Sequence, residues 1–169
     1  MKIGLMADSH DRVPAVAELL KQMQEAGVTM VLHAGDYVSP FCLKPFEDLH
    51  IALQGVFGKN DGDQQGLSAR ASAGFGLEIF ESPHSFEVSG HQILLVHDLA
   101  DAQKRSVKAH SIIVHGFTHT QSMKEQGDSL VVNPGESCGW IYGTPGAAIL
   151  DLDTKQVEFL TLNGAEWKY

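Results

Sequence analysis

The sequence has little cysteine and no long apolar run. Only Cys42 and Cys138 occur among 169 residues, and they are far apart. This excludes a disulfide framework and a zinc site of the Cys-x-x-Cys kind, and we expect both thiols to be reduced and at least half-buried. No apolar run approaches the roughly 20 residues of a membrane-spanning helix, and no basic stretch followed by an apolar one precedes Asp8. We therefore expect a cytoplasmic protein without a membrane partner.

Basic residues are also scarce. Twelve Lys and Arg residues face 21 Asp and Glu residues, which gives a formal net charge of −9. This balance argues against general nucleic-acid binding by phosphate neutralisation. A small anionic substrate would need a local positive centre, which a bound metal could supply. Because 43% of the residues are hydrophobic and no linker, repeat or low-complexity tract divides the chain, the composition predicts a single globular domain over residues 1–169.

Apolar runs and helical patterns alternate in the first half of the chain. Apolar runs predict strands at 3–7, 28–32 and 51–56. Between the first two, helical spacing predicts a helix over 15–26, with Pro14 in its first turn and Gly27 at its end. A strand, a helix and a strand in this order form a βαβ unit, which implies a parallel sheet.

The rest of the chain predicts an α/β fold that starts with parallel strands and continues with antiparallel ones. Helices are expected at 43–49 and 99–109, and the segment 64–76 is expected to be a weak helix that runs into a loop. Strands are expected at 79–80, 85–88, 92–96 and 111–114, with a hairpin turn at Ser89-Gly90. Four final segments are predicted to form an antiparallel set: 121–124, 129–132, 147–152 and 157–162.

Polar side chains follow five of the apolar runs. Asp8 and His10, two residues apart on a segment expected to be extended, would face the same way. The other runs end at Asp36, at the turn 59–61, at His97 and at the turn 115–119. Each has an ordinary alternative: His33 as a buried core histidine, Asp36 as a cap, Asp61-Gly62 as a plain turn. Together, these oxygen and nitrogen ligands predict a metal site that suits Mn, Fe, Zn or Ni better than Mg or Ca.

The order of these motifs resembles the calcineurin-like metallophosphoesterases, in particular the small phosphodiesterases called the YfcE-like family. The matching stretches, which span almost the whole chain, are Asp8-Ser9-His10, Gly35-Asp36, Gly58 to Asp61, His97, Gly116 to His119, and Asn133-Pro134-Gly135-Glu136. The resemblance implies a four-layer α/β/β/α sandwich of two mixed sheets, with two metals at the strand ends. By the same resemblance, Asp8, His10 and His119 match ligands of the first metal, Asp36 the bridging carboxylate, and His97 a ligand of the second metal.

Three positions depart from the family pattern. Lys59 stands where the family has a metal-binding asparagine, Phe117 where it has a histidine, and Asp98 where it commonly has a glycine. Asn60 and His115 lie close enough in sequence to compensate through a local shift, and this alternative stays open. We predict one well-bound metal at Asp8, His10, Asp36 and His119, with Lys59 partly replacing the charge of the second, since an ammonium there could hold a phosphate or repel a metal.

The resemblance implies hydrolysis of small phosphodiesters by attack of a metal-bound hydroxide on phosphorus. We interpret the chain as a metal-dependent phosphodiesterase or phosphatase of reduced activity, with manganese expected first and Fe, Ni or Zn as alternatives. His97 would be a phosphate contact or a residual ligand, Lys59 a fixed cation, and Asp98 or Asp61 a proton handler. The alternative is a degenerate scaffold for protein binding, for which the retromer subunit of this fold is the precedent. Self-association into a homo-oligomer is also open, since family members often associate.

Overall fold

A computed structural model of the chain describes residues 1–74 and 76–168, which form eleven strands and four α-helices. The strands are β1 (Lys2–Met6), β2 (Met30–His33), β3 (Ala52–Val56), β4 (Leu77–Phe80), β5 (His84–Val88), β6 (His91–Val96), β7 (Ile112–His115), β8 (Ser122–Gln126), β9 (Ser129–Asn133), β10 (Gly146–Asp151) and β11 (Gln156–Thr161). The helices are α1 (Val13–Glu25), α2 (Lys44–Leu49), α3 (Gln64–Ala73) and α4 (Lys104–Ala109). Short 3₁₀ turns cover Pro40–Leu43, Leu99–Asp101 and Ala165–Trp167.

The first sheet contains the parallel strands that the sequence predicts. Its order is β11-β10-β1-β2-β3-β4. Strands β1 to β4 pair in parallel, while β10 pairs antiparallel with both β1 and β11. The βαβ unit is therefore confirmed, and helix α1 connects β1 to β2.

The second sheet corrects the prediction of one late antiparallel set. Its order is β5-β6-β7-β9-β8. Strand β9 pairs in parallel with β7 and antiparallel with β8, so the last four strands are divided between the two sheets. The reason is burial: Leu130, Val131 and Val132 are all buried, and a strand that is apolar on both faces belongs inside a sheet. The hairpin turn at Ser89-Gly90 is confirmed, since it joins the antiparallel pair β5 and β6.

The two sheets face each other and helices cover their outer faces, which confirms the four-layer α/β/β/α sandwich. One apolar cluster lies between the first sheet and helices α1 to α3. A second lies between the two sheets, and a third packs the outer face of the second sheet against the segment 99–107. Residues of β7 alternate between these layers: Ile112 and Val114 face the first sheet, whereas Ile113 faces α4.

Helix α1 illustrates how the sequence pattern produces this packing. Its buried side chains follow helical spacing, namely Ala15, Val16, Leu19, Leu20 and Met23. Burying one Leu or Val side chain contributes about 1.5–3 kcal/mol, so this stripe fixes α1 on the sheet. The turn after the helix places Gly27 at a φ of +86°, a left-handed conformation that glycine adopts without strain.

One predicted helix is divided and another is confirmed. The predicted helix over 99–109 is a 3₁₀ turn followed by α4, because Ala102 and Gln103 are extended and break it. The weak helix running into loop that is predicted over 64–76 is confirmed as α3, which ends at Ala73; residue 75 lies outside the described residues. None of the helices within residues 1–74 and 76–168 combines the length and apolar character that a membrane crossing requires.

Candidate metal centre

Loops at the carboxyl ends of four strands converge on one site. Asp8 and His10 follow β1, Asp36 follows β2, His97 follows β6, and His119 follows β7. Backbone hydrogen bonds join the loops in pairs: the Asp8 amide donates to the Gly35 carbonyl and the His10 amide to the Asp36 carbonyl, each at 3.0 Å. The two sheets thus bring together five of the side chains that the sequence singles out.

The backbone at this site is left-handed at several positions that are not glycine. The φ values are 52° at Asp8, 39° at His10, 62° at Asp36, 64° at Phe117 and 59° at His119. The prediction that Asp8 and His10 share a face of an extended segment is therefore wrong, because β1 ends at Met6 and the turn brings both residues to the site. Each such conformation costs about 1–3 kcal/mol, and strain of this kind is concentrated at functional sites.

Four buried ligand atoms at the centre have no hydrogen-bond partner within the described part of the chain. They are both carboxylate oxygens of Asp8, Nε2 of His10 and Nε2 of His97. His10 Nε2 lies 3.4 Å from Asp36 Oδ2, His97 Nε2 lies 3.4 Å from Asp36 Oδ1, and His119 Nε2 lies 3.6 Å from Asp8 Oδ1. Unpaired buried oxygens and imidazole nitrogens at these separations fit a divalent cation.

The pKa shifts of Asp8 and His10 also agree with a site for a divalent cation. Burial raises the pKa of Asp8 to about 7, against a smaller opposing effect of His119. Burial also lowers the pKa of His10, more than the nearby Asp36 raises it. Without a cation, burial therefore shifts both groups toward their neutral forms. A bound cation would favour the ionised carboxylate and the neutral imidazole, which are the metal-binding forms.

Hydrogen bonds on the outer side of the site fix the orientation of two imidazoles. His97 Nδ1 donates to the Ala34 carbonyl at 2.7 Å. His119 Nδ1 donates to Glu136 Oε2 at 2.9 Å. In each ring the proton on Nδ1 leaves a lone pair on Nε2, as in histidines that bind metals. Glu136 belongs to a stretch that matches the family, but no periodicity of the sequence indicates this role.

Asp36 is held in place from the turn after β3. The Asn60 backbone amide donates to Asp36 Oδ1 at 2.8 Å and the Asn60 side-chain amide to Asp36 Oδ2 at 2.7 Å. Asp61 accepts hydrogen bonds from the backbone amides of Gly58, Asp36 and Val38. Asn60, predicted as a metal ligand, thus uses its amide NH₂ to position Asp36. Asp61 connects the two loops, and its carboxylate is occupied by these amides.

The departures from the family pattern are themselves in contact. The Lys59 ammonium pairs with Asp98 Oδ2 and lies 4.0 Å from the centroid of the Phe117 ring. The Phe117 ring in turn meets His97 edge-on, with centroids 5.7 Å apart. The hydrogen bond to Asp98 raises the pKa of Lys59, and the same bond lowers the pKa of Asp98. Both groups therefore stay charged at neutral pH. His115, the residue that might compensate for the missing histidine at 117, uses its Nδ1 to contact Gly116 and Asn133.

His33 and Ser9, which contact each other near the centre, have a structural role. His33 is fully buried, accepts a hydrogen bond from the Gly35 amide at Nδ1, and contacts Ser9 Oγ through Nε2. Because Nδ1 is the acceptor, Nε2 carries the proton and cannot act as a base toward Ser9. Burial lowers the pKa of His33 to about 3. The alternative of a buried core histidine is confirmed, and both cysteines are buried and free, as expected.

Comparison with known proteins places this geometry in a family. A calcineurin-like phosphoesterase superfamily domain matches residues 1–155. The chain belongs to the calcineurin-like phosphoesterase superfamily. It is 31% identical over 165 residues to phosphodiesterase MJ0936 of Methanocaldococcus jannaschii, which covers 96% of this chain and 99% of that protein.

Solved structures agree with this assignment. The structure of an archaeal phosphodiesterase matches with a TM-score of 0.89 and 31% identity, over 96% of this chain and 100% of that one. YfcE, a phosphoesterase from E. coli, matches with a TM-score of 0.69 and 16% identity over 96% of this chain and 100% of that one. Zinc-bound Vps29 from Entamoeba histolytica has a TM-score of 0.66 and 16% identity over 96% and 98% of the two chains. The last two share the fold with this chain.

Proposed function

We propose that the protein is a metal-dependent phosphodiesterase that binds one divalent metal through Asp8, His10, Asp36 and His119. The observation that carries this proposal is the set of buried ligand atoms without partners within the described residues. Isolated buried charges are costly, so this arrangement calls for a cation. Such a metal, when bound, supplies Lewis-acid polarisation of a phosphoryl oxygen and activation of a water molecule. Manganese is the metal we expect.

Asp36 would face histidines on two sides of its carboxylate. One of its oxygens faces His10 and the other faces His97, while Asn60 holds the carboxylate from the outer side. His97 presents Nε2 to the same space with its ring fixed by Ala34. We assign His97 to phosphate contact or residual metal binding, because a fixed imidazole can do either.

Lys59 would supply part of the charge of the second metal. Its ammonium stays protonated, pairs with Asp98 and lies over the Phe117 ring, which in turn contacts His97. A phosphate oxygen that reached this position would gain a charge-assisted hydrogen bond. Asp98 neutralises part of the ammonium charge, so we expect slower hydrolysis than two metals would support. Because Asp98 is ionised at neutral pH, it could accept a proton there but has none to donate.

Two clefts that border the centre favour a diester substrate. A cleft of about 190 Å³ includes Lys59, His97 and Ser82 in its lining. Another of about 300 Å³ includes His119, Glu136 and Tyr142. A phosphodiester carries two ester groups, and each cleft could take one of them. The related phosphodiesterase MJ0936 agrees with this substrate class.

Metal content and hydrolysis test the proposal together. We expect one equivalent of manganese per wild-type chain at modest metal concentration, with manganese-dependent hydrolysis of bis(p-nitrophenyl) phosphate. The double variant Lys59→Asn, Phe117→His should bind two equivalents and hydrolyse faster. A control with Lys155→Asn and Phe159→His, on the edge of the first sheet, should behave as wild type. Two equivalents in the wild type would refute the single-metal proposal.

A scaffold without activity is the second candidate, and one observation favours it. Exposed apolar side chains are concentrated on the loops at the carboxyl ends of the strands, namely Phe41, Phe117, Trp140, Ile141 and Tyr142. Of these, Trp140, Ile141 and Tyr142 are consecutive, and contiguous exposed apolar surface is typical of interaction sites. No hydrolysis by either the wild type or the double variant, with metal bound, would favour the scaffold over the enzyme.

A further inference from the structure

Glu136 is a buried carboxylate that joins the metal centre to a surface segment. It follows β9, and its relative exposure is only 2%. On one side it accepts the hydrogen bond from His119 Nδ1 at 2.9 Å. On the other side it accepts hydrogen bonds from the backbone amides of Ile141, at 3.0 Å, and Tyr142, at 2.6 Å. One side chain therefore positions a proposed metal ligand and a loop at once.

Glu136 is placed to orient the His119 imidazole. A carboxylate that accepts the Nδ1–H hydrogen bond of a histidine fixes the orientation of the ring and leaves the lone pair on Nε2. His119 Nε2 is then aimed at Asp8 Oδ1, 3.6 Å away.

The segment 140–142, which we call the rim segment, is fixed to the centre by its backbone and by one indole. The side chains of Ile141 and Tyr142 are 62% and 64% exposed, although their amides are bound to Glu136. Trp140 donates from Nε1 to the His10 carbonyl at 3.3 Å. The rim segment thus contacts His10 directly and is linked to His119 through Glu136, while the Tyr142 side chain borders the cleft that includes His119 and Glu136.

We propose that Glu136 is a positioning residue that couples metal occupancy at the centre to the order of the rim segment. The inference rests on the proposed metal site. A cation on His119 Nε2 polarises the Nδ1–H group, which strengthens its hydrogen bond to Glu136. Glu136 is then held more firmly, and so are the two amides that it accepts. By reciprocity, a disordered rim segment weakens metal binding.

Hydrogen exchange of the wild-type protein tests the coupling without any variant. We expect exchange at the Ile141 and Tyr142 amides to slow when Mn²⁺ is added to metal-free protein. Amides in the turn 126–128, at the far end of β8 and β9, serve as the reference and should not change. Unchanged exchange at Ile141 and Tyr142 in a protein shown by calorimetry to bind Mn²⁺ would overturn the coupling.

Calorimetric titration with Mn²⁺ tests whether Glu136 acts through His119. We expect Glu136→Gln to weaken metal affinity by about 10–100-fold, and the exposed control Glu158→Gln to leave it unchanged. In a His119→Ala background, Glu136→Gln should cost much less, because the residue through which it acts is gone. An equal loss in both backgrounds would overturn the role assigned to Glu136. Absence of Mn²⁺ binding to the wild type would overturn the proposed function as well, so the two failures are distinct.

Discussion

Replacing Asp8 with asparagine should stabilise the metal-free protein at alkaline pH while it impairs metal binding. Asp8 is fully buried and both of its oxygens lack partners among the described residues. A buried carboxylate without partners destabilises the metal-free fold, and the proposed metal would compensate for this cost. The neutral, isosteric amide removes the charge without changing the volume.

The size of the effect follows from the pKa of Asp8. Burial raises this pKa from 3.8 to about 7, and a shift of that size corresponds to about 4 kcal/mol. Between these two values the native state binds more protons than the unfolded state, so its stability falls as the pH rises. The penalty is absent near pH 4 and complete above pH 7. The buried amide of the variant would itself lack partners, which costs about 1–3 kcal/mol at any pH.

Urea unfolding of chelator-treated protein at pH 4.5 and pH 8 measures this difference. We expect the variant to gain about 3–4 kcal/mol relative to wild type between the two pH values. The exposed control Asp128→Asn should show no such gain. Equal differences between variant and wild type at the two pH values would refute the reasoning. At pH 8, excess Mn²⁺ should stabilise the wild type and have little effect on the variant.

Two further substitutions probe the framework of the site. A methyl group added by Gly58→Ala would lie 2.2 Å from Asp36 Oδ1 and 2.4 Å from its amide nitrogen, so we expect loss of Mn²⁺ binding by calorimetry. Gly62→Ala, where a methyl group has open space, is the matched control, and normal binding by the Gly58 variant would contradict the expectation. Arg12→Met removes a guanidinium that lies 4.7 Å from the centroid of the Trp140 ring and donates to the Cys138 and Trp167 carbonyls. We expect the free energy of unfolding in urea to fall by about 1–3 kcal/mol. A fall no larger than that caused by the exposed control Arg105→Met would contradict this role.

The sequence contains enough information to predict which strand ends meet. Apolar runs that stop at Asp8 and Asp36 predict β1 and β2 and the edge of the first sheet on which these side chains lie, because the carboxyl ends of parallel strands share one edge. His97 follows β6 of the second sheet, so only the packing of the two sheets brings it to the same place. The prediction for β1 and β2 does not depend on the local backbone. It therefore holds despite the error over Asp8 and His10, whose left-handed turn is uncommon for residues other than glycine, although Asp and His adopt it more often than most.

Other features required information from distant parts of the chain. The apolar residues of 129–132 indicate a central strand. The residue types of this segment do not indicate that β7 is its parallel neighbour, because that pairing depends on how all strands of the second sheet are arranged. Glu136 meets His119 only after β9 has been placed beside β7. The role of Asn60 in holding Asp36 likewise depends on the turn after β3, where the alternation of side chains along a strand no longer applies.

Lys59 and Phe117 form one unit, and this bears on the double variant proposed above. The Lys59 ammonium lies over the face of the Phe117 ring, which is also in T-shaped contact with His97, so the ring stabilises a cation at this position. With Phe117→His alone, the Lys59 ammonium would lose its contact with the phenyl ring and would repel a metal beside the new imidazole. With Lys59→Asn alone, the chain would gain one amide ligand but no imidazole. We therefore expect neither single substitution to create a second metal site, and a second equivalent to appear only when both residues change together.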